Sequence, residues 1–244
     1  MIPARIHRYG TVTSTNDTAI EMLHRGEPEG TVVTALSQSS GRGRRGRSWI
    51  DKPGDCALIS LVLTPDKPLS EMGELTFVMS LGVADYIAED YGLEPALKWP
   101  NDVLVSDKKI VGILVETVGN LGAVAGIGLN VNQTELADEI KDTATSIAIE
   151  TGHQSNIDEV CERFAAKVLE VYEDYLSNGF EHILSLWRER MWGLGRIVEI
   201  SSEAGSVKGI IDGVEPTGAL IVKSADGSLQ AIHAADAIKV ITGP

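Results

Sequence analysis

The chain has 244 residues, 43% of them hydrophobic, and carries 21 Lys and Arg against 35 Asp and Glu, a formal net charge of −14. That length supports one large core or two domains, and the acidic balance argues against nonspecific nucleic-acid binding, because neutralising phosphates needs a net positive surface. No apolar run reaches the ~18–20 residues that span a bilayer, and Met1-Ile2-Pro3-Ala4-Arg5 lacks the apolar core of a signal peptide.

Ser14-Thr15-Asn16-Asp17 precedes Ala19, Ile20, Met22 and Leu23, and Gly26 follows. Small polar residues before an apolar 3–4 periodicity, closed by glycine, predict a capped helix. Such a helix start can also hold polar ligand atoms on its N–H groups and hydroxyls. Residues 30–36 are β-branched and predict a strand that runs through Gln38 into Gly41-Arg42-Gly43-Arg44-Arg45-Gly46-Arg47-Ser48-Trp49. Four arginines fall within six consecutive residues there, with no acidic residue among them. The glycines suit neither a helix nor a strand and allow close backbone approach. Arginine supplies fixed forks of donors for carboxylate and phosphate. The stretch therefore reads as a mobile loop that closes over an anionic ligand; alone, it reads equally well as a solvated basic loop.

Residues 56–63 predict a buried strand, with Cys56 at its start. Cys56 and Cys161 read as free thiols in a reducing, cytoplasmic compartment. Ser70 opens a long helix striped with Leu75, Val78, Met79, Val83 and Ile87 and closed by Gly92. In Leu97-Lys98-Trp99-Pro100-Asn101-Asp102 a lysine sits among apolar neighbours at a strand end forced by proline. Lys98 is either a snorkelling side chain or a cation placed where charge builds in a reaction. Asn101 and Asp102 are turn formers, or oxygen ligands suited to Mg²⁺. A polar turn at residues 106–109 leads to a strand over 110–116. A glycine-spaced strand then ends at Asn130, its glycines marking close approach of a ligand or another backbone. Helices are predicted over 157–176 and 180–191. After Gly193 the character changes to short β-rich pieces at 197–200, 209–211, 219–222 and 237–240. These predict a small β-barrel on an α/β body, with domains at 1–193 and 194–244.

No Ser–His–Asp or Cys–His arrangement and no phosphate-loop motif is present, and the histidines show no zinc-binding spacing. Catalysis, if any, rests on positioning and electrostatics, as for attack on a nucleotide α-phosphate.

Taken together, Ser14-Thr15-Asn16, Gln38 with the arginine loop, Lys98-Trp99-Pro100-Asn101-Asp102, residues 109–116 and Gly126-Ile127-Gly128-Leu129-Asn130 occur in the order seen in biotin–protein ligases. The chain resembles that family over nearly its whole length, the joint presence of the arginine loop and Lys-Trp-Pro-Asn-Asp being highly specific. The resemblance implies an α/β (α+β) fold: a mixed sheet with helices on one side, followed by an SH3-like barrel. It implies that biotin and ATP give biotinyl-5′-AMP, whose acyl group passes to a lysine of a biotin carboxyl carrier protein. It assigns Ser14, Thr15, Asn16, Gln38, Arg42, Gly43, Arg44 and Lys98 to biotin. It assigns Arg42, Arg44, Arg45, Arg47, Trp49, Lys98, Asn101 and Asn130 to ATP or the adenylate. Lys98 and Arg44 are the implied catalytic pair, and Asp102 the implied Mg²⁺ ligand. Ser-Thr-Asn starts at residue 14, too early for a preceding three-helix DNA-binding domain, so neither repression nor specific DNA binding is expected; nor is a membrane. The assembly state stays open, a homodimer among the options. Two other readings compete. A lipoate–protein ligase or octanoyltransferase shares the fold but is disfavoured by the arginine loop with Lys-Trp-Pro-Asn-Asp. A nucleic-acid module is disfavoured by the net charge.

Overall fold

The structure, a computed structural model, describes residues 1–49, 52–202 and 205–241. β1 (Arg5–Val12), α1 (Thr15–His24) and β2 (Thr31–Gln38) form a parallel crossover unit. β3 (Cys56–Leu63) pairs antiparallel with β2, and all its residues are buried. After α2 (Glu74–Tyr91) come β4 (Ala96–Lys98), β5 (Asp102–Val105), β6 (Lys108–Val118) and β7 (Gly122–Asn130). They complete a mixed seven-stranded sheet of order β1-β2-β3-β7-β6-β5-β4. Ser106 and Asp107 join β5 to β6 with φ of 52° and 61°, the paired positive values of a two-residue hairpin turn.

α3 (Ile147–Thr151), α4 (Ile157–Asn178) and α5 (Phe180–Glu189) follow. Asn156 caps α4 by accepting from the Asp158 and Glu159 N–H groups. Its apolar stripe of Val160, Phe164, Val168, Val171, Tyr172 and Tyr175 is buried. α2 and α4 pack together so closely that a Cβ on Gly82 would lie 2.9 Å from Val168 Cα. These helices and α5 share a core with β3, β6 and β7. α1 stands apart from them, on the other face: Ala19, Met22 and Leu23 pack on Val33, Val62, Val118 and Val124. The helices are thus divided between the faces, three of the long ones on one side and α1 on the other.

β8 (Ile197–Ser202), β9 (Gly205–Val214), β10 (Leu220–Lys223), β11 (Leu229–Ile232) and β12 (Ala237–Val240) form an antiparallel sheet of order β11-β10-β9-β8-β12. It is bonded to the body. Trp99 Nε1 donates to Gly218 O at 2.9 Å, and the Arg188 guanidinium donates to Val214 O at 2.8 and 3.0 Å. Between the sheets the chain lies along β4: Leu97 N–H donates to Arg190 O and Trp192 N–H to Leu97 O. That pairing ends α5 at Glu189, short of the expected Met191. Two strands carried no clear sequence signal. β1 is a mostly exposed edge and β11 exposes three of four residues, so neither needs an apolar alternation. Among the described residues no helix is long and apolar enough to cross a membrane.

Gly82→Ala separates two forces of opposite sign. Propensity favours alanine in a helix by about 1 kcal/mol, whereas overpacking costs about 1–3 kcal/mol. The added Cβ meets backbone, which cannot yield by a rotamer change, so we expect net destabilisation in urea denaturation; a gain in stability would show that α2 and α4 separate freely.

Candidate active site

β6 and β7 build the floor of a cavity on the face that carries α1. Val111 and Ile113 of β6 and Ile127 and Leu129 of β7 belong to the helix-side core, so the residues between them face the other way. Three residues on that face are glycines. Gly112 and Gly128 are cross-strand partners, and Gly126 is the next β7 residue on that face. The Trp49 indole fills the space a Cβ would take: built on Gly128 it would lie 2.6 Å from the ring, and on Gly112 2.8 Å. At Gly126 a Cβ would fall 2.1 Å from Asn16 Oδ1. The resulting cavity of about 370 Å³ lies within the roughly 300–1,000 Å³ of small-molecule sites.

Its first wall is the start of α1. Ser14 has extended N-cap geometry yet makes no side-chain cap hydrogen bond; with Thr15 and Asn16 it is buried and lines the cavity. Gln38 Oε1 accepts from Thr15 N at 2.8 Å and Thr15 Oγ1 at 3.1 Å. Ser60 Oγ lies 2.8 Å from Thr15 Oγ1 and 2.6 Å from Asn16 Oδ1. Asn16 Nδ2 donates to Glu116 Oε2 at 2.6 Å and to Leu114 O at 3.3 Å. The Asn16 amide is therefore held from both ends by the sheet.

The arginine loop is a hairpin over the mouth. Gly43 N–H donates to Arg47 O at 2.7 Å and Trp49 N–H to Gly41 O at 2.9 Å, around a turn with Arg45 at φ 56°. Its arginines diverge. Arg42 forks onto Asp17 at 2.6 and 2.9 Å and reaches Glu116 at 3.5 Å; these carboxylates, Asp17 first, raise its pKa. Arg44 turns inward to Asn101 Oδ1 at 3.4 Å. Burial, then the like charge of Arg45, lowers its pKa. Arg45 pairs with the Asp236 carboxylate and Arg47 donates to the Asp236 carbonyl.

Opposite stand two lysines. Lys109 Nζ pairs with Asp102 Oδ1 at 2.6 Å and lies 5.9 Å from the centre of the Trp49 ring system. Lys98, half-buried at the end of β4, sits 4.8 Å above the Trp192 ring, with Arg196 5.0 Å from the same ring. Burial lowers the Lys98 pKa, and Asp102 partly opposes that. Trp192 Nε1 donates to Asp107 Oδ1 at 2.6 Å, which with Arg196 holds that carboxyl below its usual pKa. Among the described residues neither Lys98 nor Arg44 has a carboxylate within 4 Å. The Trp49 indole N–H is buried and has no hydrogen-bond partner among the described residues.

Every residue singled out from the sequence lines this cavity except Asn130. Asn130 lies one step beyond Gly128, buried, with Nδ2 donating to Thr145 O at 2.9 Å and Oδ1 accepting from Gln133 at 3.1 Å. Sequence reasoning missed Lys109, taken as part of a turn, together with Ser60 and Glu116. It also missed residues 235–239 of the small sheet, which close the far wall.

The Biotin/lipoate A/B protein ligase family matches residues 9–132 and the Biotin protein ligase C terminal domain matches residues 193–240. The chain belongs to the biotin/lipoate A/B protein ligase family. It is 34% identical over 234 residues to the bifunctional ligase/repressor BirA of Bacillus subtilis, covering 93% of this chain and 72% of that one. It is 34% identical over 213 residues to the biotin–[acetyl-CoA-carboxylase] ligase of Paracoccus denitrificans, covering 84% and 88%. Biotin protein ligase from Aquifex aeolicus in complex with biotin and ATP superposes with a TM-score of 0.86 at 28% identity, over 97% and 99% of the two chains. Both sheets thus have counterparts in family members.

The glycine floor yields a direct test. A Cβ at position 128 would lie 2.6 Å from the indole, so Gly128→Ala must lift Trp49 off the sheet. We expect a red shift of its emission, read as the difference from a Trp49→Phe control, while the thermal midpoint moves by less than about 4 °C, a change near 1 kcal/mol or less. Unchanged emission would mean that the floor does not seat the ring.

Proposed function

We propose that the cavity carries out both halves of a biotin–protein ligase reaction. One observation bears most of the weight: Lys98 and Arg44 are half-buried cations, both with lowered pKa and neither with a carboxylate beside it among the described residues. Burying a charge without a counter-ion is costly, so the site is arranged for an anionic ligand. The Ser14, Thr15, Asn16 and Gln38 wall offers hydroxyl, amide and backbone groups suited to a cyclic urea, which needs donors and acceptors together. The unpartnered Trp49 N–H suits a ligand acceptor. A molecule polar at one end and anionic at the other, joined by an apolar chain over the glycine floor, fits this order.

In the first step a biotin carboxylate oxygen attacks the α-phosphorus of ATP. A P–O bond forms, the P–O bond to pyrophosphate breaks, and the mixed anhydride stays bound. Lys98 faces the oxygens where charge builds, and Arg44 and Lys109 add cations on either side. In the second step the neutral amine of an acceptor lysine attacks the anhydride carbonyl; a C–N bond forms, AMP leaves and the amine loses a proton. The acceptor we propose is the biotin-accepting domain of a carboxylase. The hairpin keeps water from the anhydride between the steps.

We propose that Mg²⁺ arrives on the ATP phosphates, with water completing its shell. Among the described residues no three His, Cys, Asp or Glu side chains gather as metal ligands. The Asp102 carboxylate pairs with Lys109 through Oδ1, so as the expected metal ligand it would act through its other oxygen.

The test is ATP–pyrophosphate exchange, expected to require biotin; exchange without biotin, or driven by lipoate, would overturn the reading. Lys98→Ala should slow adenylation roughly 10²–10³-fold, as when one preorganised donor to a developing oxyanion is lost. Biotin affinity should fall less, because the Thr15–Gln38 wall is intact; wild-type turnover in this variant would remove Lys98 from the mechanism.

A further inference from the structure

The arginine hairpin is fastened at both shoulders, and the second fastening is not in the catalytic sheet. Arg42 holds one shoulder to Asp17 and Glu116, which belong to α1 and β6. The other shoulder reaches across to Asp236, just before β12: Arg45 pairs with its carboxylate and Arg47 donates to its carbonyl. Asp236 is itself anchored, since its N–H donates to Ser201 O of β8 at 2.7 Å. Its negative charge also acts on Arg44, favouring the charged form that Arg45 and Arg47 oppose. A single carboxylate thus offsets the mutual repulsion of three arginines packed into one turn. Both Asp236 and Arg45 are partly exposed, at 30% and 31%, so the pair can open.

We propose that Asp236 is a positioning residue for the ligase reaction: through Arg45 and Arg47 it holds the hairpin down over the cavity, and so sets how long the adenylate is retained. This rests on the ligase reading. The small C-terminal sheet is then the seat of the latch. Opening requires the Asp236 contacts to break, while the Arg42 shoulder stays in place as a pivot. Acceptor lysine enters, or adenylate leaks, through the side that Asp236 closes.

Two readouts test this. The first needs no catalysis: trypsin cuts after the hairpin arginines, and the rate of cutting reports how often the hairpin lifts. Ligand-free Asp236→Asn should be cut several-fold faster than wild type, with its thermal midpoint nearly unchanged. The second is escape of pre-formed biotinyl-5′-AMP, followed by labelling of serum albumin and normalised to adenylate bound at the start. Asp236→Asn should release it about 10–100-fold faster, the effect of losing one charge-assisted contact. Arg45→Asp should behave likewise, and Arg45→Asp with Asp236→Arg should recover most of the retention, which a merely structural role for either residue would not produce. Equal cutting and equal escape in Asp236→Asn would overturn the latch, as would additive losses in the double variant. Failure of wild type to form adenylate at all would instead sink the ligase reading, and the cutting rates of the ligand-free proteins would still decide the latch.

Discussion

Gly112 and Gly128 face each other across the β6–β7 ladder, with Gly126 one step along the same face. A β-sheet face normally presents a side chain at every second residue; removing three neighbours leaves a hollow bounded by backbone. Trp49 and Asn16 both lie against that hollow, closer than any side chain there would permit. The placement of Asn16 fixes the start of α1, and through Ser60 and Thr15 the position of Gln38. The placement of Trp49 fixes the base of the arginine hairpin. Both walls therefore take their positions from the floor.

Charge is distributed with the same economy. The chain is acidic overall, yet its cavity concentrates cations, and three of them are paired with carboxylates: Arg42 with Asp17, Lys109 with Asp102, Arg45 with Asp236. Lys98 is held differently, by the face of Trp192. An aromatic ring orients an ammonium without neutralising it, so this cation is steered while its charge stays available to a ligand. Asp107 holds the ring by its N–H, and Arg196 lies 5.0 Å from its centre.

Local patterns made much of this legible. The Ser-Thr-Asn helix start, the arginine loop and the lysine before Pro100 are contiguous signals, and they meet in one cavity because α1, β2 and β4 all feed the same side of the sheet. The striped helices were equally clear, since their periodicity reflects one buried face. Lys109 was hidden because its significance lies in the β5–β6 register, which places it beside Asp102. In the chain itself Lys109 stands at the end of a polar turn and the start of the 109–116 stretch, with nothing to show its partner. Asp236 was hidden more deeply, for its partners Arg45 and Arg47 lie in the first quarter of the chain. The role expected of Asn130 rested on resemblance, while the following segment folds back and takes up its amide through Thr145 and Gln133. β1 and β11 were obscure for a simpler reason: an edge strand need not be apolar.

The contact between Trp99 and Gly218, together with the run of residues 190–192 along β4, has a bearing on how this chain comes apart. Val198, Ile200, Ile211 and Leu220 of the small sheet belong to the same continuous apolar cluster as Phe77, Trp99 and Trp187 of the body. Peeling the small sheet away would bare that shared interior. Two sheets that divide cleanly along the sequence thus share one core, and no hinge separates them thermodynamically. Heating should melt them together, with calorimetric and van't Hoff enthalpies in agreement, so that damage to either half is felt as a loss of stability in the whole.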